Sequence, residues 1–232
     1  MNHFNLKLCS IFVLFFLFPK CGWGQGTFQN LGFEGVQNVP IFDPRGHPWT
    51  MPAGDALPGW SCYIGDSRTE FIWYNDLALD SAAVGVLSST LPYLPPGFPV
   101  GKYSLSLQAG YGPLGMNTPS SIAQSGELPS DVKSIRFRGA GGSSSADSFL
   151  VTFAGERIPL EIVGSRESFT GYAGDLSPYA GQMGELRITS TIHFTYIDGI
   201  SFSPLAVPEP TIATLLLGGL GLLGWNRWRT SK

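Results

Sequence analysis

Phe149-Leu150-Val151-Thr152-Phe153-Ala154-Gly155-Glu156-Arg157-Ile158-Pro159-Leu160-Glu161-Ile162 is the stretch that sets the class of fold. Phe149, Val151 and Phe153 are apolar at every second position, the period at which one face of a β-strand meets a core. Ile158, Leu160 and Ile162 return with the same period, which predicts a β-hairpin turning near Gly155. The alternation continues outward. Tyr103, Leu105 and Leu107 interleave with Ser104, Ser106 and Gln108, and Ile135 and Phe137 with Arg136 and Arg138. Leu186 and Ile188 form a further short strand, and Ile192, Phe194 and Tyr196 begin a last one running on to Ile200 and Phe202. Connectors such as Gly139-Ala140-Gly141-Gly142-Ser143-Ser144-Ser145 separate the runs, with no helical stripe and no internal repeat between residues 25 and 206. Thirty Gly, 18 Pro and 13% aromatic residues against 13% charged ones agree with a turn-rich chain. The expectation is an all-β protein, a two-sheet antiparallel sandwich.

Both ends read as targeting segments. In residues 1–24, Lys7 supplies a short positive region, an unbroken apolar core runs from Ile11 to Phe18, and small residues follow at Gly22 and Gly24, the pattern of a secretory signal peptide. Cys21 raises the question of lipidation, but the residue before it is Lys20 where a small one is needed. Residues 25–206 then form one domain, with nine Lys and Arg against sixteen Asp and Glu, a net charge of −7. That balance argues against nucleic acid as a partner, because phosphate binding needs a basic face. Cysteines stand at 9, 21 and 62, so Cys62 is alone in the mature part and offers neither a disulfide framework nor a CxxC metal site.

Residues 207–232 read Val207-Pro208-Glu209-Pro210, an uncharged apolar run over residues 211–225, and the tail Asn226-Arg227-Trp228-Arg229-Thr230-Ser231-Lys232. At ~1.5 Å per helical residue the run alone reaches ~22 Å of a ~30 Å hydrocarbon core, and its flanks supply the rest. Trp225 and Trp228 suit the headgroup level, and Arg227, Arg229 and Lys232 hold the end on the cytoplasmic side of a transmembrane helix. The tetrad, the short glycine-rich helix and the basic end resemble the PEP-CTERM sorting signal of exported proteins in Gram-negative bacteria with exopolysaccharide envelopes. That resemblance implies recognition of Val207, Pro208, Glu209 and Pro210 by exosortase, a membrane-embedded cysteine protease, after transient anchoring in the inner membrane. An ordinary C-terminal anchor behind a proline linker is the alternative.

The mature chain opens Asn30-Leu31-Gly32-Phe33-Glu34 and soon reaches Pro58-Gly59-Trp60. This pairing resembles the start of galactose-binding-like or carbohydrate-binding-module-like jelly rolls, with Phe33 directed inward from a first strand and Trp60 opening a second. The resemblance implies a jelly-roll sandwich and a structural calcium held by Glu34 near the first strand and by Asp198 of Tyr196-Ile197-Asp198-Gly199-Ile200. Strand alternation places Asp198 on the face of Phe194, Tyr196 and Ile200, where a carboxylate needs a cation or several donors. The competing reading has both carboxylates capping turns through backbone N–H groups.

Catalytic options are few. The exported part holds only His47 and His193, no Gly-x-Ser-x-Gly elbow, and no spacing that pairs Glu70, Asp76 or Asp80 as acid and nucleophile. Gly219-Leu220-Gly221-Leu222-Leu223-Gly224 matches the dinucleotide pattern by letters alone, since it lies in the membrane run without a preceding strand. Residues 42–74 carry seven aromatic side chains, Phe42, Trp49, Trp60, Tyr63, Phe71, Trp73 and Tyr74. Flat rings beside Asp and Asn suit sugar C–H faces, and Trp49, Tyr93 and Phe98, all in Pro-rich loops, are the candidates for a ligand-contacting surface. The same residues read equally as clamps packed on the sandwich. The functional expectation is an exported, non-catalytic module that contacts exopolysaccharide or adheres. A matrix protein without a specific ligand and a secreted hydrolase are the alternatives.

Overall fold

In the computed structural model, which describes residues 25–39, 50–76, 80–92, 94, 97–141, 145–192 and 194–207, the strands in chain order are as follows. The first half of the chain forms β1 (Thr50–Pro52), β2 (Ser61–Ile64), β3 (Ser67–Thr69), β4 (Phe71–Tyr74), β5 (Ala83–Ser88), β6 (Tyr103–Gln108), β7 (Gly110–Gly112) and β8 (Gly115–Thr118). The second half adds β9 (Ser120–Glu127), β10 (Ser134–Gly141), β11 (Phe149–Phe153), β12 (Glu156–Ile158), β13 (Leu160–Ser165), β14 (Thr170–Asp175), β15 (Met183–Ser190) and β16 (Thr195–Ser203). One sheet has the order β1-β4-β5-β6-β16-β10-β14-β13, the other β12-β11-β15-β9-β2-β3, and β7 and β8 form a separate hairpin. Pairing is antiparallel throughout both sheets except between β4 and β5, where Trp73 lies opposite Gly85 in a parallel pair.

The two sheets face each other as a sandwich. Val84, Val86, Leu105, Leu107, Ile135, Phe137, Ile197 and Phe202 from the larger sheet meet Ile122, Phe149, Val151, Phe153, Leu186 and Ile188 from the smaller one in a single buried cluster. Phe149 reaches across to strike Phe137 and Tyr172 edge-on, at centroid distances of 5.4 and 5.2 Å. Gly139 makes room for this contact, because a Cβ there would come within 2.8 Å of the Tyr172 ring and 2.9 Å of Phe149. The last strand is central, flanked by β6 and β10.

The hairpin at residue 155 forms as predicted through β12. Ala154 and Gly155, at φ 51° and 86°, make a two-residue turn with both φ angles positive, and Val151 pairs with Ile158. Beyond Ile158 the chain leaves: β13 crosses to the larger sheet and pairs with β14, so Ile162 is 47% exposed at a sheet edge instead of returning to the hairpin's core face.

Two other expectations are corrected. The opening contains no strand over residues 25–39. Asn30 and Phe33 take positive φ angles of 51° and 59°, and the segment is held by side chains: Gln124 accepts from Gln29 N–H at 2.6 Å and donates to Gln29 O at 3.0 Å. Phe33 is nevertheless fully buried, 6.2 Å from the Trp60 ring, whose Nε1–H donates to Asn30 O. Ser104, Ser106 and Gln108, which interleave with the core residues of β6, are buried as well. Finally, Ile200 does not share a face with Asp198. Arg136 opposes Ser201 while Arg138 opposes Asp198, so β16 carries one extra residue at this point, where Gly199 has φ 62°. The bulge reverses the alternation. Ile197, Ile200 and Phe202 all enter the main core, whereas Tyr196 and Asp198 face the opposite side.

Candidate functional site

That opposite side of the larger sheet is covered by the segment between β5 and β6. Leu94 and Phe98 of this segment form a second small core with Leu87 and Tyr196, with Leu91, Ala140, Phe169 and Phe194 packed around it. Phe98 is 4% exposed, 6.0 Å from the Tyr196 ring, so its faces are taken by packing and it offers no platform to a sugar. Trp49 and Tyr93, like His47, His193, the signal peptide, Pro208, Glu209, Pro210 and the apolar run, lie outside the described residues.

Glu34 and Asp198 are brought together at the end of this strap. Glu34 Oε1 accepts from the backbone N–H of Lys102 at 2.9 Å and of Tyr103 at 3.2 Å. Asp198 Oδ2 accepts from Val100 N–H at 2.5 Å and Oδ1 from Gly199 N–H at 2.6 Å. Gly101 sits between, and a Cβ there would collide with the Glu34 carboxylate. Burial pushes the Asp198 carboxyl up to about 6; the Val100 and Gly199 N–H groups oppose the shift, Glu34 adds to it, and Arg138 opposes it. The register that sets Ile197 opposite Leu105 carries Ser104 alongside Asp198, and the Ser104 hydroxyl is buried without a hydrogen-bond partner. Both carboxylates accept from backbone N–H groups, as turn caps do, and what favours a cation here is their charge. Among the described residues no three His, Cys, Asp or Glu side chains are grouped so as to hold a metal ion, so calcium here would take most of its six to eight oxygens from backbone carbonyls and water.

The sequence drew attention to residues 42–74, but two of their rings, Trp60 and Tyr74, are buried. Tyr63 carries the Arg187 guanidinium 4.2 Å from its ring centre. Phe71 on β4 is 60% exposed, and a second exposed ring stands on the β7–β8 hairpin. Tyr111 is 58% exposed and Met116 68%, and with Asp80, Gly110 and Asn117 they line an open cleft of about 340 Å³. Tyr111 is fixed by its backbone, its N–H donating to Asp80 O at 2.7 Å and its carbonyl accepting from Ala82 N–H at 2.8 Å. Gly110 permits that approach, since a Cβ there would collide with the Asp80 carbonyl. Sequence reasoning passed over Tyr111 because Gly110-Tyr111-Gly112-Pro113 shows no alternation, although a lone aromatic between glycines was a usable signal. Glu70 lines a different cleft with Trp60 and Arg68, so the carboxylates Glu70 and Asp80 do not converge. Burial pushes the Cys62 thiol up to about 12 against the attraction of Arg68, which leaves it inert as a nucleophile.

The third feature is the exit of the chain. After β16, Lys133 N–H donates to Ser203 O at 2.8 Å and Leu205 N–H to Ser203 Oγ at 3.1 Å. Ser134 Oγ donates to Leu205 O at 2.7 Å. Arg136 spans the pair, with Nε on Ser134 Oγ at 3.1 Å and Nη2 on Ala206 O at 3.0 Å. Val207, the first residue of the tetrad, is half-buried.

Residues 206–229 match the PEP-CTERM protein-sorting motif, so the chain carries the signal of an exosortase-sorted, exported protein that is anchored by its C-terminus before processing. No curated protein matches the chain. Among solved structures, it is similar to the K1 cleaved adhesin domain of Lys-gingipain from Porphyromonas gingivalis W83, at 12% identity and a TM-score of 0.40 over 68% of this chain and 98% of that one. It is also similar to the enzymatically active domain of tailspike protein 4 of bacteriophage CBA120, at 12% identity and a TM-score of 0.36 over 63% of this chain and 19% of that one. Among the described residues no helix is long and apolar enough to cross a membrane.

Proposed function

We propose that the exported domain is a non-catalytic module of the cell envelope or extracellular matrix that contacts polysaccharide through the cleft at Tyr111. The observation that carries this reading is the exposed Tyr111 ring beside Met116, the Asp80 carboxylate and the Asn117 amide in one open cleft. A pyranose presents C–H groups that stack on such a ring and hydroxyls that bond a carboxylate or amide at its edge. The hairpin that bears Tyr111 is set by backbone hydrogen bonds, so little order is lost on binding. Asp80 is the one carboxylate in the cleft among the described residues, whereas glycoside hydrolysis by the usual routes needs two, which favours binding over cleavage. The sorting motif supplies the setting, because it places the domain outside the inner membrane. In the same reading calcium at Glu34 and Asp198 ties the opening to the last strand, supported by the full burial of the Asp198 carboxylate.

The test is a glycan array probed with the purified domain and with Tyr111→Ala. Binding by the wild type and its loss in the variant is the expected result. A wild-type domain that binds no glycan would leave a matrix protein without a specific ligand, and turnover of glycosidase or esterase substrates would make it an enzyme.

A further inference from the structure

The peptide bond that joins the sandwich to the sorting tetrad is itself part of the fold. Its carbonyl, that of Ala206, is held by Arg136, and the carbonyl before it, that of Leu205, is held by Ser134, which Arg136 also holds. We propose that Ser134 and Arg136 form a latch that restrains processing of the sorting signal, so that the folded domain and the processing protease compete for the same stretch of main chain. Proteins that receive an extended peptide commonly do so through its main-chain N–H and C=O groups, as an added strand. A protease cutting in or just after the tetrad meets Leu205 and Ala206 on the N-terminal side of the cut, with both carbonyls already bonded. The latch cannot be bypassed by slack. From Ala206 to the start of the apolar run at Thr211 there are five residue steps, at most ~18 Å of fully extended chain. Arg136 is suited to this task, because a guanidinium donates in a fixed fork and holds two acceptors at once. The inference rests on the reading of residues 206–229 as a processed signal and does not depend on polysaccharide binding.

The full chain is produced in a host that contains exosortase, and conversion to the shortened form is followed by pulse-chase and intact mass. Arg136→Ala is expected to convert about threefold faster, because the lost bond to Ala206 O is charge-assisted but solvent-exposed. Arg136→Lys, which keeps the charge and loses the fork, is expected to fall between. Six Gly/Ser residues inserted between Ala206 and Val207 leave the latch in place but give the protease free chain. Conversion should then be as fast as in Arg136→Ala, and adding Arg136→Ala to the insertion should change nothing further. A rate for Arg136→Ala no faster than wild type overturns the latch. So does an acceleration of equal size in the insertion background, since Arg136 would then act through stability of the fold. Absence of any shortening in both the wild type and the insertion protein would instead refute the sorting reading, and the latch with it.

Discussion

The two faces of the larger sheet are buried by different means. Between the sheets, apolar side chains from both sides meet in one cluster, and the interactions are those of packing. On the other face a strap of backbone covers serines and a buried aspartate, and beside its small apolar cluster it is held by two carboxylates gripping N–H groups at Val100, Lys102 and Tyr103. The first face is insensitive to pH and ions. The second is sensitive to both, because its acceptors are ionisable and one of them, Asp198, is fully buried.

The largest effect expected from this contrast is at Phe33. Truncation to Ala removes a fully buried ring from the main core and should cost ~3 to 5 kcal/mol in denaturant melts, with the whole domain destabilised. A loss below ~1 kcal/mol would mean that the opening segment is not part of the core.

Phe98→Ala sharpens the comparison. Its ring belongs to the smaller cluster of Leu87, Leu94 and Tyr196, beneath a loop that can settle onto the gap, so ~2 kcal/mol is expected. Hydrogen exchange should quicken around the strap and the outer face it covers, while the amides of Ile122, Val151 and Ile188 keep their protection. Uniform loss of protection would show that the two faces unfold as one.

The smallest effect is ionic. Asp198 has its folded carboxyl raised to about 6 from an ordinary value of 3.8, so the stability tied to its protonation is fully present below pH 3.8 and is lost as pH rises through 6. In the presence of chelator, acidification from pH 7 to 5 should therefore add ~1 kcal/mol at this site. Asp198→Asn should flatten that part of the profile. Calcium in excess should raise the melting temperature by several degrees at pH 7 and suppress the acid gain, because a bound cation keeps the carboxylate ionised. An identical melt with calcium and with chelator would assign both carboxylates to the backbone N–H groups alone.

What the sequence disclosed follows the same division. Alternation revealed Leu105, Leu107, Ile135, Phe137, Val151 and Phe153, because a period of two is the direct signature of a strand with one face on a core. It failed at Asp198 and Ile200 since a single extra residue at Gly199 reverses the parity of all that follows, and nothing in Tyr196-Ile197-Asp198-Gly199-Ile200 announces which neighbour the bulge will face. The burial of Ser104 and Ser106 was not legible for another reason. Polar residues alternating with apolar ones read as solvent-facing, and the strap that buries them comes from a Pro-rich segment whose own path has no period. Glu34 and Asp198 were paired through a resemblance, and the structure brings them together on one loop. Tyr111 was missed because residues that serve a surface cleft obey no core periodicity, and Arg136 because its partners are a serine hydroxyl and a main-chain carbonyl, groups too common to mark a site.

The most direct test of the central claim is an amide NMR titration of the domain with oligosaccharide fragments of its host's envelope polysaccharide. Contact through the Tyr111 cleft predicts saturable shifts concentrated at residues 80–82 and 110–118, absent in Tyr111→Ala. Shifts centred anywhere else on the sandwich, or no saturable shift at all, would contradict it.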